Sequence, residues 1–116
     1  MPFESLISNS ELQVFDENLN YSAVNKYIDG VSLEVGNNYL VPIISDGVVV
    51  FVGDKDNYGK TIIVQQSNGY YAWYGNIKES VKLYDYIEKG EYLGNSMSDF
   101  YYYVLYKDDK PIKYEN

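Results

Sequence analysis

The sequence predicts an all-β domain, and three observations carry that expectation. From about residue 30 onward, short runs rich in Val, Ile, Tyr and Phe alternate with Gly, Asn, Asp and Ser at turn spacing. No stretch shows the apolar period of an amphipathic helix of three or more turns. The step Asn68-Gly69 stands between two β-rich runs, and both residues tolerate the positive φ that a tight hairpin demands.

The elements follow in order. Residues 4–7 and 12–15 read as a short hairpin turning at Ser8-Asn9-Ser10, and residues 21–27 as a turn of helix or a loop. The turn Ser45-Asp46-Gly47 leads into a strand at 48–52, which ends in a polar loop from Gly53 to Gly59. Residues 61–66 then pair with 70–74 through Ser67-Asn68-Gly69. From Val81 to Gly94 short strands alternate with tight turns, and a last hairpin joins 101–106 to 111–114 through Lys107-Asp108-Asp109-Lys110.

A chain of 116 residues suits a single domain, 1–116, with residues 28–116 as its core and residues 1–27 as less regular strands or loop. Hydrophobic residues at 46% and charged residues at 22% place it among folded domains rather than disordered ones. Nine lysines, no arginine and seventeen acidic residues give a net charge of −8, which repels phosphate backbones and anionic membrane surfaces, so nucleic acid is an unfavourable partner. No run approaches the ~20 apolar residues of a spanning helix, and no direct membrane insertion is expected. The start, Met1-Pro2-Phe3-Glu4-Ser5-Leu6-Ile7, has neither a basic region nor an apolar core of a signal peptide, so any anchor is expected in a segment outside this chain.

The absence of cysteine removes disulfides, thiolate metal sites and thiol nucleophiles. The absence of histidine removes the commonest general base and the usual nitrogen ligand of zinc. The segment Asp54-x-Asp56-Asn57-x-Gly59 has the start of a calcium loop, but its twelfth position is Gln65 in place of the bidentate acid, so it reads as a solvated turn. Glu79, Asp85, Glu88 and Glu91 show no pattern that singles out an acid pair for glycoside cleavage. The glycines form no phosphate-binding motif. No metal and no cofactor is expected.

The aromatic runs 70–74 and 100–106 are the chain's unusual feature, within fifteen tyrosines overall. Successive strand residues face opposite sides, so about half of each run should point outward. Two readings stay open: cross-strand aromatic packing, or an exposed patch that binds a partner through Tyr70, Tyr71, Trp73, Tyr74, Tyr101 and Tyr103.

Four blocks, taken together, resemble the lysostaphin/LytM-type zinc endopeptidase domain, a duplicated hybrid motif fold. They are Asp29-Gly30-Val31-Ser32-Leu33 with residues 41–49, residues 58–66, residues 68–77, and residues 81–94; in order and spacing they span most of 28–114. The strings Trp73-Tyr74-Gly75-Asn76-Ile77 and 81–90 look most like the LytM-like domain of a sporulation protein. The resemblance implies an antiparallel sheet packed with a small hammerhead-like hairpin region and few or no helices.

It also implies where a zinc site would lie. In active members H-x-G-x-D supplies a ligand histidine and aspartate, which fall here on Ile28 and Ser32, with Gly30 retained between them. The family's Tyr-x-His-Leu histidine falls on Asn76, and the closing H-x-H, one catalytic histidine and one further ligand, falls on Phe100 and Tyr102. Such a site needs three protein ligands around an open water position, and Ile, Ser and Tyr do not provide them. The expectation is therefore a pseudoenzyme, with the old cleft filled by Ile28, Phe100 and Tyr102. Relatives of this kind act as scaffolds or regulators in bacterial envelope and sporulation complexes, so a protein partner such as a membrane protease and an extracytoplasmic, membrane-associated location are implied.

Two other functions compete with it. A peptidoglycan-peptide-binding groove without hydrolysis would use aromatic walls with Ser32 and Asn76 as hydrogen-bonding groups. A biotinyl or lipoyl carrier is an alternative because residues 81–94 resemble that family's hammerhead half, but no lysine stands in the context such a carrier modifies.

Overall fold

The computed structural model describes residues 21–67 and 69–112, all in strands, turns and connecting loops. Among the described residues eleven strands run β1 (Ala23–Tyr27), β2 (Gly30–Glu34), β3 (Leu40–Pro42), β4 (Gly47–Lys55), β5 (Gly59–Gln65), β6 (Tyr70–Gly75), β7 (Ile77–Glu79), β8 (Tyr86–Ile87), β9 (Tyr92–Ser96), β10 (Phe100–Lys107) and β11 (Lys110–Pro111). Every pairing is antiparallel. The large sheet has the order β1-β2-β10-β6-β5-β4-β8, with β11 paired to β10; the small one is β3-β9-β7. The expected all-β fold is the observed one.

The two sheets enclose one core. Val31, Leu33, Val49, Ile62, Val64, Ala72, Tyr74, Tyr101, Tyr103 and Leu105 come from one face of the large sheet, and Val41, Ile77 and Leu93 come from the small one. Ile43, Ile44 and Val81 close its margins. Buried tyrosine hydroxyls need hydrogen-bond partners, and Tyr74 shows how one is met: its Oη accepts the amide of Ile44 at 2.9 Å, tying β6 to the loop after β3. Tyr74 and Tyr103 meet edge-on at 5.1 Å between ring centres, and Tyr39 stacks over Tyr101.

Several local expectations change. Residues 21–27 are neither helix nor loop in the main, because Ala23–Tyr27 adds an edge strand to β2. The strand expected at 48–52 extends to Lys55, so the polar loop shortens to residues 56–58, and a bulge between Val49 and Phe51 re-aims its side chains. Within the stretch from Val81 to Gly94, residues 81–84 form a bend and turn, with Tyr84 at φ +75, and the first short strand begins at Tyr86. The hairpin at 107–110 is observed, and Asp108 and Asp109 both take positive φ, as a two-residue type I′ turn requires. The hairpin proposed for 4–7 and 12–15 lies outside the described residues.

Candidate functional site

Strands β2, β10 and β6 lie side by side, so that Ser32, Tyr102 and Gly75 form one row across the sheet. Alternation decides which face each residue meets: Tyr101, Tyr103 and Leu105 enter the core, while Phe100, Tyr102 and Tyr106 face the other way. On that outer face Tyr27 lies flat on Tyr102, with ring centres 4.2 Å apart and planes 15° from parallel. Tyr58 meets Tyr27 and Tyr102 edge-on at 5.7 and 5.6 Å, and Phe100 meets Tyr102 at 5.3 Å. From Tyr58 the contacts run on to Trp73 at 6.0 Å and then to Tyr106, stacked on Trp73 at 4.9 Å. An unbroken aromatic path thus crosses the outer face from Tyr27 at the end of β1, over β10, to Trp73 on β6 and Tyr106 on β10.

Hydrogen bonds and a glycine hold the path in place. The Tyr27 hydroxyl donates to the carbonyl of Asn57 at 2.7 Å, and the Asp29 amide donates to the Tyr58 hydroxyl at 3.4 Å. Gly75 must lack a side chain, since a Cβ there would stand 2.8 Å from the Tyr58 carbonyl and 3.0 Å from its Cβ. Removing that side chain is what lets Tyr58 lie against the sheet, where only 6% of it is exposed.

A shallow cavity opens at each end of the path. One of about 400 Å³ is lined by Tyr27, Ser32, Glu34, Asp99, Phe100 and Tyr102. The other, of about 360 Å³, is bounded by Val50, Phe51, Ile63, Tyr71, Trp73, Tyr106 and Asp109. The Lys55 ammonium sits over the rings of Phe51 and Trp73 at 4.5 and 5.1 Å, a paired cation–π contact beside this second cavity.

The positions singled out in the sequence separate on this frame. Ser32, Phe100 and Tyr102 converge on the first cavity. Asn76 takes φ +63 and turns its carboxamide to the next connection, with Nδ2 donating to Ser98 Oγ and to the Phe100 carbonyl, each at 2.9 Å. It fixes the approach to β10. Ile28 does not fill the cleft: it occupies the β1–β2 turn, 47% exposed and at φ +48, and Tyr27 takes the place expected for it. Of the proposed aromatic surface, Tyr71 and Trp73 lie on the outer face. Tyr74, Tyr101 and Tyr103 are buried in the core and cannot be part of a surface, and Tyr70 packs partly against that core with the Lys107 ammonium 4.2 Å over its ring. Strand parity is the reason, since each of these four points to the face opposite Trp73 or Tyr102.

Tyr27, Tyr58, Glu34 and Asp99 were missed. A signal existed for two of them: Glu34 shares the face of Ser32 two residues away on β2, and Tyr27 directly precedes the motif position at Ile28. Tyr58 and Asp99 reach the site through loops, which periodicity does not describe.

The donor set does not fit zinc. Ile28 and Phe100 have no lone pair to offer, and Ser32 is a neutral hydroxyl. Burial pushes the Tyr102 phenol up to about 12, helped by its hydrogen bond with Tyr27 and by the nearby Tyr58, so it stays protonated near neutrality. Burial also raises Tyr58. Among the described residues, no group of three or more His, Cys, Asp or Glu is arranged to hold a metal ion.

The profile of peptidase family M23 matches residues 26–108. Stage IV sporulation protein FA of Bacillus subtilis (strain 168) is 31% identical over 88 residues, covering 71% of this chain and 33% of that protein. Csd3 of Helicobacter pylori superposes with a TM-score of 0.68 at 25% identity, over 80% of this chain and 29% of the other. Lysostaphin of Staphylococcus simulans, called an antimicrobial peptidase, shares the fold with a TM-score of 0.70 at 20% identity, over 82% of this chain and 48% of the other. The chain thus spans about a third of the curated relative it matches.

Proposed function

The chain belongs to peptidase family M23, and from that premise we propose that its domain is a non-catalytic member that binds a protein partner. The observation that carries this reading is the Tyr27–Tyr102 stack at the place where the family resemblance puts a metal ligand. A protonated phenol stacked on a second ring leaves no open coordination position and no activated water, and both are required for the family's hydrolysis. Exposed aromatic surface with polar margins is the composition that protein interfaces favour. The similarity to a sporulation protein supports a place in a bacterial sporulation or envelope complex, on the outer side of the cytoplasmic membrane and tethered by a segment outside this chain. Among the described residues, no helix is long and apolar enough to cross a membrane.

The test is metal analysis of the purified chain together with a cleavage assay on peptidoglycan cross-bridges. The expected outcome is no stoichiometric zinc and no cleavage; one zinc per chain with chelator-sensitive cleavage would refute the reading.

The two cavities favour a second reading, a groove that holds a peptidoglycan peptide without cutting it. Ser32 is available on the cavity wall, whereas the Asn76 amide nitrogen is already committed to Ser98 and Phe100. Muropeptide titration followed by Trp73 fluorescence checks it, with saturable quenching as the supporting result.

A further inference from the structure

We propose that the cavity between Tyr27 and Phe100 is a receptor for a single cationic side chain, lysine or arginine, carried by an extended segment of the protein partner. The inference rests on the protein-binding reading above and gives that site its specificity.

The cavity is aromatic on its floor and acidic on its rim. Tyr27, Phe100 and Tyr102 supply ring surface, and Glu34 and Asp99 supply carboxylates. Ring faces attract cations through their quadrupole, and carboxylates attract them by charge, so the two kinds of wall select the same ligand chemistry. Ser32 adds a neutral hydroxyl that can accept a further N–H. A volume of about 400 Å³ accepts a long side chain with room for its own backbone at the mouth.

Charge complementarity decides the occupant. Both carboxylates belong to exposed residues, and neither has an ion pair among the described residues; the Glu34 carboxylate accepts only the Asn25 amide, at 3.2 Å. The lysines on neighbouring strands do not reach the cavity. Lys26 is paired with Val31, on the strand positions that alternate away from Ser32 and Glu34, and Lys55 sits at the far end of the aromatic path. At a net charge of −8 the whole chain also draws a positive segment towards it.

The two cavities therefore differ in the charge they present. Beside the far one lies the chain's own cation, Lys55, over the rings of Phe51 and Trp73, which shows how a lysine lies on this face. The near one has the same kind of wall, and among the described residues no lysine lines it.

The test is NMR titration of the chain with three capped tripeptides of identical backbone, Gly-Lys-Gly, Gly-Arg-Gly and Gly-norleucine-Gly, and with a muropeptide bearing a free amine. Saturable shifts at Ser32, Glu34 and Phe100 with the lysine and arginine peptides are expected, at least tenfold tighter than with norleucine. The double variant Glu34→Gln, Asp99→Asn should remove that preference while the spectrum elsewhere stays unchanged; if this variant unfolds, loss of the shifts in 0.5 M salt serves in its place. Equal binding of norleucine, or no saturable shift with either cationic peptide, overturns the proposal. Tighter binding of the muropeptide than of both cationic peptides also overturns it, by assigning the cavity to cell-wall amines. Zinc content and cleavage report on the catalytic question alone, so either reading can fail without the other.

Discussion

The two faces of strand β10 carry nearly the same residues and do different work. On one face Tyr101 and Tyr103 are all but inaccessible, at 0% and 2% exposed, and they fill the core against the small sheet. On the other, Phe100, Tyr102 and Tyr106 build the aromatic path and keep part of each ring open to solvent. A tyrosine-rich strand is thus not a patch or a core but both at once, divided by the two-residue period of the pleat. The inner tyrosines are valued for volume and the outer ones for surface, so the faces should respond differently to the same substitution.

The largest expected difference is in stability. Tyr101→Ala should lower the unfolding free energy by about 3–5 kcal/mol, as large-to-small changes in a closed core do. Tyr102→Ala, on the half-open face, should lose about 1–2 kcal/mol, near the centre of ordinary single substitutions. Urea denaturation of the pair checks this, and equal losses would break the distinction between the faces.

Asn76 is the next lever, because it joins the outer face to the connection before β10. Asn76→Ala removes the donor to Ser98 and Phe100 in a backbone with positive φ, and a loss of about 1–3 kcal/mol follows from the unmet carbonyl and the left-handed residue together. Hydrogen exchange should show faster opening at residues 97–100, with β5 and β6 little affected.

Alkaline titration sharpens the comparison on a smaller scale. A phenol pushed up from 10 to about 12 in the folded state binds its proton more tightly than in the unfolded chain. Its contribution is therefore full below pH 10 and is lost as the pH rises from 10 to 12. Tyr102→Phe should flatten this part of the stability curve, measured by urea midpoints at pH 9, 10 and 11, and a curve as steep as that of the parent chain would contradict the assignment. The buried inner phenol of Tyr101 is pushed well above its ordinary value as well, so some alkaline dependence should persist in the variant.

The smallest effect is a gain. Ile28 holds φ +48 at the first of two turn residues, where a β-branched side chain is strained and glycine is the usual occupant. Ile28→Gly should raise stability by up to about 1 kcal/mol, read as a higher thermal midpoint with the aromatic path unchanged.

How much of this was legible depends on the range of the interaction. The hairpins at 61–74 and 101–111 were readable because an Asn-Gly step and an Asp-Asp turn flanked by β-rich runs specify their own geometry. The edge strand at 23–27 was not, since five residues of mixed polarity become a strand only when β2 supplies the partner. At the site, Ser32, Phe100 and Tyr102 were found through motif spacing, whereas Tyr58 and Asp99 were not, because loops bring them there.

The sequence by itself determined the all-β class, the closing turn at 107–110, the absence of histidine and cysteine, and hence that no histidine-ligated zinc can be held. Tertiary structure alone decided which tyrosines are core and which are surface. Parity on one strand says only that neighbours face apart; which face is buried depends on where the second sheet lands, a contact between residues far apart in the chain.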